Sequence, residues 1–174
     1  LEHIAEWADR DTGVTTRRTV DEVRELCDGR VVVDYDCIGV GAGVKSEVNR
    51  LEDDHLLSQR DLQFEPWNAA ASPTNPEHRV IPDDRNSILN KDFYANLKAQ
   101  AWWQLRLRLE RTYKALNDPN YTFDPDEIIS ISPNIPLMRQ LEKELTQVTS
   151  SKNGTLKLVV NKTSKPGAMQ KPED

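Results

Sequence analysis

Asp34 and Asp36 are the residues best placed to do chemistry. They close the β-branched run Val31-Val32-Val33-Asp34-Tyr35-Asp36, and strand side chains alternate with period two, so both carboxylates project to one side where the strand runs out. Ligands of α/β sheets bind beyond such strand ends. Two carboxylates there could hold a hard divalent ion such as Mg²⁺, which takes oxygen ligands and usually only one or two protein carboxylates. The plainer alternative is one solvated aspartate and one aspartate capping the amides of the next loop. That loop, Gly39-Val40-Gly41-Ala42-Gly43-Val44-Lys45-Ser46, nearly spells a phosphate-binding loop. It departs at Val44, where the backbone must be glycine to wrap the phosphates before the lysine, and a dinucleotide fingerprint counted from Gly39 and Gly41 fails at the same residue. The glycines read instead as a turn that lets a helix come close to the strand end and leaves the carboxylates open. His3, His55 and His78 are scattered, and Cys27 and Cys37 lack metal-finger spacing.

Charge is the second source of chemistry. The 174 residues carry 23 Lys and Arg against 29 Asp and Glu, a net charge of −6, which excludes a strongly basic nucleic-acid wrapper but leaves room for a local basic face. From Lys98 to Lys114 there are five basic residues, Lys98, Arg106, Arg108, Arg111 and Lys114, against the single acid Glu110. From Lys152 to Lys171 there are five lysines, including Lys162 and Lys165, and no acid. Either stretch could neutralise phosphates, and either could be a solvated outer face. Trp102 and Trp103 could stack on bases, although Trp102 falls on an apolar stripe that suits a core better. No apolar run approaches the roughly 18 residues a membrane span needs, and the first residues lack the charged-then-apolar pattern expected of a signal peptide. Two cysteines are too few for a disulfide framework and suit a reducing, intracellular setting.

The elements that must position these residues follow from periodicity. Leu1 to Trp7 alternates loosely and reads as a short strand before the turn at Asp9 to Gly13. Thr19 and Glu22 form a capping box, and Val20, Val23 and Cys27 recur at helical spacing, which predicts a helix over about 16–27. A strand ending at Asp36, the glycine loop and a helix carrying Val44, Val48 and Leu51 come next. Five acids between Glu52 and Glu65 and then Pro66, Pro73, Pro76 and Pro82 mark a long excursion over about 52–87, expected to be mobile. Trp102, Leu105, Leu109, Tyr113 and Leu116 lie at steps of three and four, which predicts a helix over about 93–117 with a core-facing stripe. Ile128 to Ile131 reads as a strand, Pro136 to Val148 as a helix and Thr155 to Val160 as a strand after the Asn153-Gly154 turn. With 37% hydrophobic and 30% charged residues, the core is expected to be modest, in a single α/β domain.

The segment Asp36-Cys37-Ile38-Gly39-Val40-Gly41-Ala42-Gly43-Val44, preceded by its apolar strand, resembles the second carboxylate motif of the nuclease domain of tailed-phage large terminase subunits. Three further stretches fall in that family's order: Asn96 to Trp103, Ile128 to Ile131, and Leu158 to Lys162. The resemblance spans most of the chain. It implies a ribonuclease H-like fold, a mixed sheet flanked by helices, with residues 1–174 as a single, partial nuclease domain. Members of the family cut concatemeric DNA during genome packaging with two divalent ions, Mg²⁺ or Mn²⁺, held by three or more carboxylates. The ions activate water and stabilise the leaving oxygen of an in-line displacement. The resemblance implies that Asp36 is the catalytic metal ligand, with Asp34, where some relatives carry the acid, as second choice. The family's first acid lies upstream of Leu1. Its last follows a Ser-Pro-Asn element where Lys171-Pro172-Glu173 stands, so that Asp174 is an imperfect substitute. The packaging ATPase domain is also missing, so the chain is expected to be part of a longer protein and to cut DNA poorly by itself. Lys98, Arg106, Arg108, Arg111, Lys162 and Lys165 are the DNA-contact candidates. Implied partners are double-stranded DNA, the terminase small subunit and the portal, with no membrane, in the cytoplasm of a bacterial host. Two rival readings remain: a catalytically incomplete interaction module of the packaging motor, and a nucleotide-binding protein using residues 39–46.

Overall fold

The structure is a computed structural model that describes residues 1–57, 61–82 and 84–161. Lys162, Lys165 and Asp174 lie outside the described residues. The chain divides into two compact units, one formed by Glu6–Ala69 and the other by Leu1–Ala5 with the chain from Ala70 onward.

The Glu6–Ala69 unit is built on helix α1 (Thr12–Leu26), strand β1 (Val31–Asp36), helix α2 (Ala42–Asp53) and strand β2 (Leu62–Trp67). Helix α1 starts about a turn before the predicted position near residue 16, and about two turns before the Thr19 capping box, because the Asp11 carboxylate accepts from the Gly13 amide at 2.7 Å and caps it there. The Thr19 hydroxyl instead donates back to the Thr15 carbonyl. β1 and β2 pair in parallel, with Val31 opposite Leu62 and Asp36 opposite Trp67. β2 lies inside the long excursion over about 52–87 expected to be mobile. Its Leu62 and Phe64 share the buried face with Val31 and Val33, against Val20, Val48, Leu51 and Leu57. Each such fully buried aliphatic side chain contributes about 1.5–3 kcal/mol. The Glu47 carboxylate, on α2, accepts from Arg17 of α1 at 2.6 Å and from Arg50 of its own helix at 2.7 Å, which ties the two helices together.

The other unit holds the short helix α3 (Asn90–Phe93), the long helix α4 (Leu97–Asn117), helix α5 (Met138–Thr146) and the antiparallel hairpin of β3 (Ser150–Lys152) and β4 (Leu158–Val160). Asn96 caps α4 by accepting from the Ala99 amide. The buried Gln100 side chain then clamps Thr74, accepting from its amide at 2.7 Å and donating to its carbonyl at 3.1 Å. Tyr94 is fully buried and bridges in parallel to Leu158. The segments 1–7 and 128–131 do not form strands. Leu1 still donates to the Ser130 carbonyl and accepts from the Ser132 amide, the bond pattern of a single parallel bridge. The α4 stripe is covered only toward its N-terminal end: Trp102 and Leu105 are half-buried, whereas Tyr113 and Leu116 are 68% and 80% exposed.

Among the described residues the architecture is α/β, with one parallel and one antiparallel pair of strands and helices.

Candidate active site

β1 alternates half-buried and exposed along its length, with Val32, Asp34 and Asp36 on the exposed face. Both candidate carboxylates therefore share the solvent-facing side, as period two requires. The parallel register sets Glu65 opposite Asp34 and Trp67 opposite Asp36, and residues opposite each other in a ladder point to the same side. Sequence reasoning missed Glu65, because its place beside Asp34 depends on a strand hidden by Pro66 and by the surrounding acids. The Glu65 carboxylate accepts from the Gln63 side chain at 2.8 Å.

Asp36 is the last residue of β1, and one of its carboxylate oxygens accepts from the Ile38 amide at 3.0 Å. The next amide along the strand, that of Cys37, donates to the Trp67 carbonyl at 3.1 Å and continues the ladder one residue past the strand. The chain then makes a 3₁₀ turn over Gly39–Gly41 and enters α2. Gly39 has φ +65, a left-handed conformation that favours glycine. The loop is committed to close packing, as its glycine content suggests: a Cβ at Gly41 would fall on the main-chain carbonyl of Asp36.

Among the described residues no group of three or more His, Cys, Asp and Glu comes together as a metal-holding cluster. The donor set at the β1 end is thus a pair of carboxylates, one already sharing an oxygen with a loop amide. That set fits one hydrated hard cation and is too small for two.

The basic candidates on α4 do not form one face. Arg106 and Arg108 are two residues apart, about 200° around the helix and so on nearly opposite sides. Arg106 stacks on Trp103, with 4.7 Å from its guanidinium carbon to the ring centre. Arg108 donates to the Asp126 carbonyl at 2.6 Å, and Arg111 pairs with Glu127 at 3.4 Å, so both reach the 3₁₀ turn over Pro125–Glu127. Lys98 is half-buried in the first turn. No helix among the described residues is long and apolar enough to cross a membrane.

This is the ribonuclease H-like fold of the terminase nuclease domains. The nuclease domain of the large terminase subunit of bacterial virus Sf6 superposes with a TM-score of 0.71 at 25% identity over 92% of this chain and 66% of that one. A lysine-to-alanine mutant of the same domain, solved with manganese and β-thujaplicinol, gives a TM-score of 0.68 at 24% identity over 91% of this chain and 65% of that one. The mutant domain with calcium gives 0.66 at 25% identity, with coverages of 91% and 65%. The chain thus spans about two thirds of the length of the solved domains it matches. No family model and no curated protein sequence matches it.

Proposed function

We propose that the chain is the nuclease part of a phage DNA-packaging terminase, a metal-dependent endonuclease that cuts concatemeric viral DNA. The observation that carries this reading is the placement of Asp36: an exposed carboxylate at the end of β1, beside Asp34, in the fold of nuclease domains solved with manganese and with calcium. Asp36 would hold a divalent ion through the oxygen left free of Ile38, with Asp34 behind it. Such an ion, Mg²⁺ or Mn²⁺, supplies an activated water and charge stabilisation at the leaving oxygen. Lys98 and Arg106, with Lys162 and Lys165 of the C-terminal segment, would neutralise DNA phosphates, while Arg108 and Arg111 brace the 125–127 turn. The full protein would work with the terminase small subunit and the portal in the cytoplasm of a bacterial host. A two-ion site needs more carboxylates than this pair, so weak single-ion binding and poor cutting are expected of the 174 residues alone.

Calorimetric titration with Mn²⁺ tests the reading, run beside a plasmid-cleavage assay. One weak site lost in Asp36→Ala, and little cleavage, is the expected result. Strong cleavage that survives Asp36→Ala would overturn the assignment. The rival reading of a non-cutting module of the motor is favoured by the lack of a third ligand among the described residues, and Mn²⁺ binding that is absent altogether would select it. A rise in melting temperature with ATP but not with Mn²⁺ would select the nucleotide-binding reading, since only a ligand of the native state stabilises it.

A further inference from the structure

We infer that Gly41, Gly43 and Thr12 form a seat that positions the Asp36 carboxylate, with Gly41 as the contact that nothing can relieve. The inference rests on the reading of Asp36 as a metal ligand and concerns how that ligand is aimed. β1 stops at Asp36, and one residue further its ladder ends at the bond from Cys37 to Trp67. From there the direction of the carboxylate depends on the loop, because one oxygen is held by the Ile38 amide.

The loop is pressed from behind. A Cβ on Gly41 would overlap the Asp36 carbonyl oxygen, which is main chain and cannot rotate away. Either the end of β1 or the start of α2 would have to move. Gly43, in the first turn of α2, meets the Thr12 hydroxyl, the far end of a side chain on the first residue of α1. That contact can be relieved by trimming Thr12. Four residues further along α2, Glu47 is held by Arg17 from α1, so α1 backs α2, α2 backs the loop, and the loop aims Asp36. Interiors packed this closely transmit a displacement of a few tenths of an ångström, and ligand geometry tolerates little more than that.

The test uses four variants of the whole chain, Gly41→Ala, Gly43→Ala, Thr12→Ala/Gly43→Ala and Gly154→Ala, each measured for Mn²⁺ affinity, melting temperature and amide exchange at Cys37 and Ile38. Gly154 has open space around its Cα and serves as control. Expected are an affinity loss of at least tenfold with faster exchange at both amides in Gly41→Ala, a smaller loss in Gly43→Ala, its recovery in the double variant, and no change in the control. A purely structural role would move melting temperature and affinity together in every variant, in loss and in recovery alike, whereas a positioning role changes affinity and the two exchange rates by more than the melting temperature accounts for. Should Gly41→Ala fail to fold, the Thr12 rescue alone decides. Should the unaltered chain bind no Mn²⁺, or Asp36→Ala leave binding intact, the ligand reading fails and the seat is judged on exchange at Cys37 and Ile38. Unchanged exchange in Gly41→Ala, or affinity within twofold of the unaltered chain, overturns the seat.

Discussion

Replacing Arg108 and Arg111 with alanine separates the two roles open to a basic helix. Arg108 donates a charge-assisted bond of 2.6 Å to the Asp126 carbonyl, in an exposed setting. Such bonds are worth about 1.5–3 kcal/mol when desolvated, and solvent screening here brings the figure to about 1 kcal/mol. The Arg111–Glu127 pair is long at 3.4 Å, with a half-exposed glutamate, and adds about 0.5 kcal/mol. The double variant should then lose about 1.5 kcal/mol, or about 3–6 °C in melting temperature for a chain of this size. The DNA readout is the slope of log affinity against log salt, measured by fluorescence anisotropy on a duplex. Each lost phosphate contact flattens that slope by about 0.9. Because both guanidinium groups are turned to the 125–127 turn, the slope should stay as it is in the double variant. In Lys98→Ala and Arg106→Ala it should flatten. A flattened slope in Arg108→Ala/Arg111→Ala with an unmoved melting temperature would refute the bracing role and return both arginines to the DNA face.

Three further outcomes follow from the same structure. Hydrogen bonds and charge from Arg50, then Arg17, hold the Glu47 carboxyl below its ordinary range; a depressed folded value stabilises above the unfolded pKa and is lost as pH falls through the folded one. Melting temperature should therefore drop on acidification below about pH 4.3, and Glu47→Gln should flatten that acid limb. Burial pushes the Tyr94 hydroxyl up to about 12, the nearby Gln104 offsetting only part of it, so its contribution is full below about pH 10 and lost as pH rises through the folded value. Ultraviolet titration should show one late tyrosine that is missing in Tyr94→Phe; four tyrosines titrating together would contradict this. In the region expected to be mobile, amides of the exposed turns from Asn75 to Pro82 should exchange faster than those of β2, and uniformly slow exchange would show a firmly packed subdomain instead.

The face shared by Asp34 and Asp36 was legible because a strand has only one period, and a run of valines ending in alternating acids leaves one choice of side. The role of the glycines was legible for a similar reason: Val44 removes the phosphate loop, and close packing is what remains. The start of α1 was not, since Thr19 and Glu22 mimic a capping box that Asp11 has made unnecessary. β2 was hidden because its alternation, Leu62 and Phe64 inward, runs into Pro66, and its stability comes from a parallel partner 31 residues away in register. Helical periodicity identified the apolar stripe of α4, but it carries no information on where the covering elements end, which is why Tyr113 and Leu116 came out exposed.

The same limit explains what the sequence could and could not say about the metal. Period two along one strand brings Asp34 and Asp36 together, whereas Glu65 reaches their face only through the ladder. Glu65 stands opposite Asp34 in the ladder, and on the proposed reading a bound cation would offset the repulsion of like charges so placed. Asp36, opposite Trp67 and tied to Ile38, escapes that repulsion and keeps a fixed orientation. The carboxylate best suited to be a ligand is thus the one whose direction is set by backbone contacts. On the proposed reading its two neighbours would supply negative charge to attract an ion, without enlarging the site into one that could hold two.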